Sequence, residues 1–536
     1  MRNRATMCLS TLTKDYAVRL QCKGDINDTL LPDLLPMLAP PTSPVGQENA
    51  ASIIANLSTE FSVRKQLLAQ DVVTPLVALL SSSQPDIIRN ALQALLMLCE
   101  DYEGRAQMMA AEPAQPLLAL LDSDFRAIQE LALNVVAKVS RNQTCRQTLY
   151  EAGVLERIIG FVTNPEYSKS YVVALDALST MLYEPPALER VGAIPDNGSQ
   201  ADAPLVKVLQ LLTHEDVEVK VRAMECVRTA AHDNDNRRIL RDFKTEAAVA
   251  GQLLPDDPKQ PINAAVSCAA CNALSALAIA KSSAAAVLTA GSLPKLVRLL
   301  TCEHESCVQA AAQTLAVLVS KSTPNRLQVF EAGVYPGLLE ILKATAVQRL
   351  PTQAHAASCV ASFAQEPQLR ASMATVSPIA PLVQLLNRGA HTAALQEKCL
   401  DALTALAGDA AYRRELSTCD PYPRIVENIS SADQHVGLAA ARIVHQLCED
   451  PASAAELIHE GALGALQRVA ASRSHTSDTI QAAMHALLCN HLSAKFALTN
   501  ELSASDKVKQ IFFDPGTFHR IPSLKHLHTH HPFVII

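Results

Sequence analysis

The sequence predicts an all-α fold, an α-solenoid of about eleven three-helix repeats. Three recurring features predict it. The phrase Leu293-Pro294-Lys295-Leu296-Val297-Arg298-Leu299-Leu300 returns in varied form along the chain, as in Thr74-Pro75-Leu76-Val77-Ala78-Leu79-Leu80 and Ala380-Pro381-Leu382-Val383-Gln384-Leu385-Leu386. Its central apolar position reads Leu34, Leu76, Leu117, Ile158, Val208, Ala250, Leu296, Leu338, Leu382, Ile425 and Leu466, with steps of 41 to 50 residues. An arginine keeps the same period at Arg19, Arg64, Arg105, Arg146, Arg238, Arg326 and Arg370, followed by the pair Arg413 and Arg414. Glycines recur at Gly153, Gly291, Gly333 and Gly461.

Residues 323–364 show how each unit folds. Thr323 to Gly333 forms a short first helix, with Pro324 suited to its opening turn and Gly333 closing it in a left-handed conformation. Tyr335 to Leu342 forms the second, with Leu338, Leu339, Ile341 and Leu342 turned inward. A third starts near Gln353 and carries Ala356, Ala357, Val360 and Phe363 along one stripe. Third helices elsewhere share small, Ala-led patterns, such as Ala132-Leu133-Asn134-Val135-Val136 and Cys399-Leu400-Asp401-Ala402-Leu403, which let neighbouring repeats approach closely.

Composition agrees. The 536 residues contain 17 glycines and 4% aromatics, and the net charge of −7 supplies no global basic field for nucleic acid. The 14 cysteines lie singly in helical patterns, as core residues in a reducing compartment do. The N-terminal segment lacks the apolar core of a secretory signal. Ala264 to Ala280 is apolar enough to raise the question of a membrane span, but Asn272 interrupts it and it occupies a third-helix position, so it is expected to be buried. The chain is therefore expected in the cytoplasm without stable membrane insertion.

Short first helix ending in Ala-Gly, Pro-x-Leu-Val-x-Leu-Leu second helix and Ala-x-x-x-Leu third helix together resemble the armadillo repeat family, over roughly residues 5 to 495. The resemblance implies a right-handed superhelix that docks protein partners in a concave groove lined by third helices. On this reading residues 1–24 are a partial repeat, 25–509 the superhelix and 510–536 a poorly ordered tail. Ala5 to Leu12 matches the end of a third helix, which leaves an uncapped apolar face for missing upstream repeats or another chain to cover. Two loops break the period, around Pro195–Asp202 and Leu254–Pro261.

In peptide-binding armadillo proteins such as the nuclear import adaptors, an asparagine late in each third helix clamps an extended ligand, and tryptophans stack beside it. Here that position carries Asn56, Met97, Lys138, Thr180, Thr229, Ala276, Val317, Ser362, Ala405 and Gln446, and the chain has no Trp. One asparagine cannot satisfy an extended backbone. The groove positions Asn56, Met97, Lys138, Thr180, Thr229, Ser362 and Gln446 are thus expected to meet a helix or a folded partner. A nuclear transport adaptor is the alternative.

No phosphate loop or hydrolase elbow occurs, and Cys268-Ala269-Ala270-Cys271 has no second pair at zinc spacing. Neither a cofactor nor a catalytic residue is expected, and the oligomeric state stays open. His526, His528 and His530 near the end are weak metal-ligand candidates, and with them comes the enzymatic alternative of a metal-dependent activity at the tail. The run Leu492 to Asp514 resembles the segment that follows the repeats in a branch of the armadillo family associated with cilia and sperm flagella. In that branch a further domain follows, so functions resting on it are not carried over. The resemblance implies a non-catalytic adaptor in a cilium or flagellum.

Overall fold

The computed structural model describes residues 2–25, 30–195, 198–255, 260–387, 392–472 and 478–499. Within them every regular element is helical. The chain divides into two compact units, Met1–Ser292 and Leu293–Ile536. Third helices stack in sequence order in each. In the first unit Arg2–Leu12 packs on Pro44–Leu57, which packs on Pro85–Leu98, then Arg126–Val139, Tyr171–Met181, Val217–Ala230 and Ala264–Leu277. In the second the series runs Glu305–Val319, Leu350–Phe363, Ala393–Leu406, Gln434–Leu447 and Asp478–Thr499.

The second-helix ladder forms the core of every repeat. All eleven of its members, Leu34 through Leu466, are at most 2% exposed. Burying a Leu or Ile side chain contributes about 1.5–3 kcal/mol, so this one position anchors each repeat. Small residues at the seams, Ala132, Ala174 and Cys399, are also buried, which permits the close stacking of third helices.

In the worked repeat the first helix is Thr323–Glu331 and the second Val334–Lys343. The third begins at Leu350 rather than near Gln353, because a 3-10 turn over Val347–Arg349 and Pro351 in the opening turn start it earlier. Gln353 is buried and donates from Nε2 to the Ile341 and Ala344 carbonyls, closing the second helix.

Among the described residues, the one between first and second helix adopts a positive φ in eight repeats. Gly153, Gly291, Gly333 and Gly461 do so at φ of 75° to 86°, and Asp71, Glu112, Lys244 and Asp420 at 45° to 53°. The junction does not depend on glycine, which is only the relaxed way to make it, and the repeats with Ala193 and Ser377 there turn through extended residues instead.

Arginines of the first helices fasten one repeat to the next. Arg64 Nη1 donates to the Ser58 and Thr59 carbonyls at the end of the preceding third helix, while its Nε meets Asp101 at 2.9 Å. Arg19 does the same with Thr13, Lys14 and Glu60, and Arg146 with Ser140 and Glu184. In the second unit Arg326 holds the Val319 carbonyl and Glu366. The position expected at Arg238 belongs to Arg237, which donates to the Ala231 and His232 carbonyls while Arg238 is exposed. Of the pair Arg413 and Arg414, it is Arg413 that reaches the Ala407 carbonyl and Glu449.

Ala264–Leu277 is a third helix with nine buried residues. No single described helix is long and apolar enough to cross a membrane, and Pro367–Val376 with Ile379–Asn387 reaches that length only across a 78° bend.

Candidate interaction face of the third helices

Of the seven groove positions read from sequence, Asn56, Lys138 and Thr180 bond across the seams between third helices. Asn56 Nδ2 donates to the Ser10 carbonyl at 3.1 Å and to Thr13 Oγ1 at 3.0 Å, closing the end of Arg2–Leu12. Lys138 Nζ meets Glu100 at 2.6 Å, and Thr180 Oγ1 lies 2.7 Å from Ser140 Oγ, each reaching back one repeat. Asn490 repeats the pattern on the Cys448 carbonyl. Met97 is half-buried, and Gln446 bonds Glu449. Thr229 and Ser362 are buried, their hydroxyls turned back to the Glu225 and Ser358 carbonyls, so they present no side chain to a partner. Asn56, Lys138 and Thr180 thus join repeats.

One helical turn earlier stands a second row on the same face of each helix. It reads Ser52, Gln93, Asn134, Asp176, Glu225 and Asn272 in the first unit, and Gln313, Ser358, Asp401 and Arg442 in the second. Every member is polar and reaches solvent, with Gln93 and Arg442 exposed and the rest half-buried. Adjacent third helices bond at this level in two places. Ser10 Oγ donates to Ser52 Oγ at 3.0 Å, and Arg442 Nη2 to Asp401 Oδ1 at 2.6 Å. A reading aimed at the asparagine position missed this row, although its signal, a polar residue four before each seam residue, is present throughout.

Charge on this face is balanced locally. Arg222 Nη1 holds Asp176 at 2.8 Å and also pairs with Glu218. Arg228 is clamped by Glu225 and by the Tyr183 hydroxyl, and these hydrogen bonds, Glu225 first, raise its pKa further. Beneath the rows burial disfavours the thiolate form of the cysteines. Burial pushes Cys99 up to about 12, with Cys145 adding to the shift, and burial raises Cys226 and Cys359 as well. Cys271 is buried on Ala264–Leu277 beside half-buried Cys268. His526, His528 and His530 lie outside the described residues.

The three-helix unit, its left-handed junction and the stacked third helices define an all-α solenoid of armadillo-like repeats. Armadillo repeat-containing protein 3 of Homo sapiens is similar to this chain, 28% identical over 372 residues. The similarity covers 69% of this chain and 40% of that relative, so the chain spans well under half of the relative's length. Among solved structures, the crystal structure of an engineered protein from a structural genomics consortium superposes with a TM-score of 0.53 at 20% identity, over 86% of this chain and 98% of that one. This likeness concerns the fold. No family profile matches the sequence.

Proposed function

We propose that this chain is a non-catalytic scaffold that holds folded or helical protein partners on its third helices, in the assembly or working of a cilium or flagellum. One observation carries the reading: the solvent-reaching polar row from Ser52 to Asn272 and from Gln313 to Arg442. A clamp on an extended backbone repeats one group at every step. This row changes from hydroxyl to amide to carboxylate, which matches a partner surface with its own polar pattern. The similarity to armadillo repeat-containing protein 3 supports the repeat scaffold, and residues 25–509 are proposed as its extent. The ciliary setting rests on the likeness of Leu492 to Asp514 to the segment after the repeats in that branch.

Proximity labelling with the full chain in a ciliated cell tests this. The expected result is enrichment of axonemal proteins, lost when Gln93, Asn134 and Asp176 are replaced together by alanine. Enrichment of nuclear pore proteins would redirect the assignment to transport.

A further inference from the structure

We infer that the place between Arg105 and Asn142, on the first-helix edge of the first unit, binds an acidic side chain of a partner protein. The partner's carboxylate takes the position that the chain's own carboxylates fill in other repeats. Four ladder arginines meet a carboxylate on the residue before the next first helix. These are Arg19 with Glu60, Arg64 with Asp101, Arg146 with Glu184 and Arg326 with Glu366, at 2.6 to 3.1 Å. Arg105 stands in the same ladder between Arg64 and Arg146. The residue that should answer it is Asn142, which precedes the first helix Gln143–Glu151.

Arg105 is posed as its neighbours are. Its Nη1 donates to the Cys99 and Glu100 carbonyls at 2.7 and 2.8 Å, as Arg64 Nη1 does to those of Ser58 and Thr59. The next first helix lies against it, with Cys145 Sγ 3.5 Å from the Arg105 carbonyl. In Arg19, Arg64 and Arg146 it is Nε that donates to the carboxylate. Arg105 Nε has no such acceptor among the described residues, because Asn142 Oδ1 is turned to the Cys145 N–H of its own helix. The residue before Asn142 is exposed Arg141, where the neighbouring repeats carry Thr59, Glu100 and Tyr183. Tyr183 shows what that place faces, since its ring centre lies 5.8 Å from Arg146 Cζ. By the same repeat geometry Arg105 faces Arg141 and Asn142, so this rung gathers donors and lacks its acceptor.

The surrounding charges leave it positive. Arg64, Lys138 and Arg146 are paired with Asp101, Glu100 and Glu184. Exposed Glu103 lies two residues from Arg105 on one helix, a spacing that turns the two apart. Glu112 and Glu151 stand near the opposite ends of their helices, and Lys65, over the Phe61 ring one repeat away, is itself a cation. Arg105 and Arg141 therefore present two guanidiniums, whose planar forks match a carboxylate. Aspartate and glutamate side chains fill the equivalent place on either side, which sets its size to a carboxylate rather than a phosphate.

The test is fluorescence anisotropy of a labelled glutamate decapeptide titrated with the full chain at low salt. The chain's net charge of −7 gives such a peptide no general attraction. Saturable binding is expected, weakened about tenfold by Arg105→Gln, as loss of one charge-assisted contact does. Asn142→Glu is expected to weaken it as much with Arg105 still present, because the chain then fills its own rung as Glu60 and Glu184 do. Asn142→Gln, neutral at the same length, is expected to leave binding unchanged, as is Gln93→Ala on the third-helix face. Should Arg105→Gln melt early, Asn142→Glu decides, since it removes no arginine. Absence of saturation, equal binding of a Gly-Ser decapeptide, tighter binding of a phosphoserine peptide of equal charge, or full binding by Asn142→Glu would overturn the inference.

Discussion

Arg64 and Asp101 stand 37 residues apart in sequence and 2.9 Å apart in space, on consecutive repeats. Arg64 also closes a helix through the Ser58 and Thr59 carbonyls, and Asp101 is the residue before the next first helix. A single side chain thus ends one helix and fixes the start of another. The carboxylate position recurs as Glu60, Asp101, Glu184 and Glu366, each meeting the arginine of the repeat before it. Asp233, Asp409 and Asp450 stand in the same place and instead accept backbone N–H groups of their own first helix.

Arg64→Ala therefore removes two helix-end bonds and a partly buried ion pair together. A loss of about 2–4 kcal/mol in local stability is expected, larger than for an exposed pair. Hydrogen exchange of amides in Pro44–Leu57 and Tyr102–Ala110 reads it. A change confined to one repeat's helices would show that the contact does not couple repeats.

The left-handed junctions offer a gain. Glu112→Gly and Lys244→Gly relieve a strained backbone at φ of 49° and 53°, and each is expected to stabilise its repeat by about 0.5–1 kcal/mol. Asp71→Gly gains less, because Asp71 also accepts the Thr74 hydroxyl. Gly333→Ala is expected to lose about 1 kcal/mol, from strain alone, since nothing lies within 4 Å of an added Cβ. Thermal melting of the four variants checks the signs.

Glu246 is buried with Oε1 lacking a partner, at a position where other second helices carry Leu155, Leu293 and Tyr335. Burial raises its pKa, opposed by a backbone hydrogen bond and by Arg241. The folded state therefore binds the proton more tightly than the unfolded one. The destabilisation is complete above the folded pKa and disappears below the unfolded value. Glu246→Leu is expected to stabilise the protein by about 1–3 kcal/mol at neutral pH. Urea unfolding of both forms should show the difference shrinking as the solution is acidified; a difference that grows in acid contradicts this account.

Asn56→Ala tests the role of the seam row. Because the Asn56 amide joins Pro44–Leu57 to the end of Arg2–Leu12, its loss is expected to cost about 1–2 kcal/mol and to increase exchange at the end of Arg2–Leu12. Tight binding of a lysine-rich nuclear-signal peptide by the native chain, abolished by this substitution, would restore the peptide-clamp reading.

Repetition made the fold legible. Eleven copies of one apolar position average out local ambiguity, and each proved buried. Register was harder to read where two arginines adjoin, since only the geometry of the helix end separates Arg237 from Arg238. The junctions at Glu112 and Lys244 were hidden because only glycine advertises a positive φ in a sequence. The interaction face was partly readable. Asn56 has the residue type of a ligand clamp, yet its partners come from the preceding third helix, a tertiary fact no spacing reveals. The row from Ser52 to Arg442 was visible as a pattern, but accessibility was needed to distinguish it from the seam one turn away.

The central claim is that partners dock on the third-helix face. The most direct measurement places a photo-crosslinking residue at Gln93, and separately at exposed Arg238 on the first helix Asn234–Asp242, in the full chain in ciliated cells. The account predicts discrete adducts with axonemal proteins from Gln93 and none from Arg238. Adducts from Arg238 alone, or the same set from both positions, would contradict it.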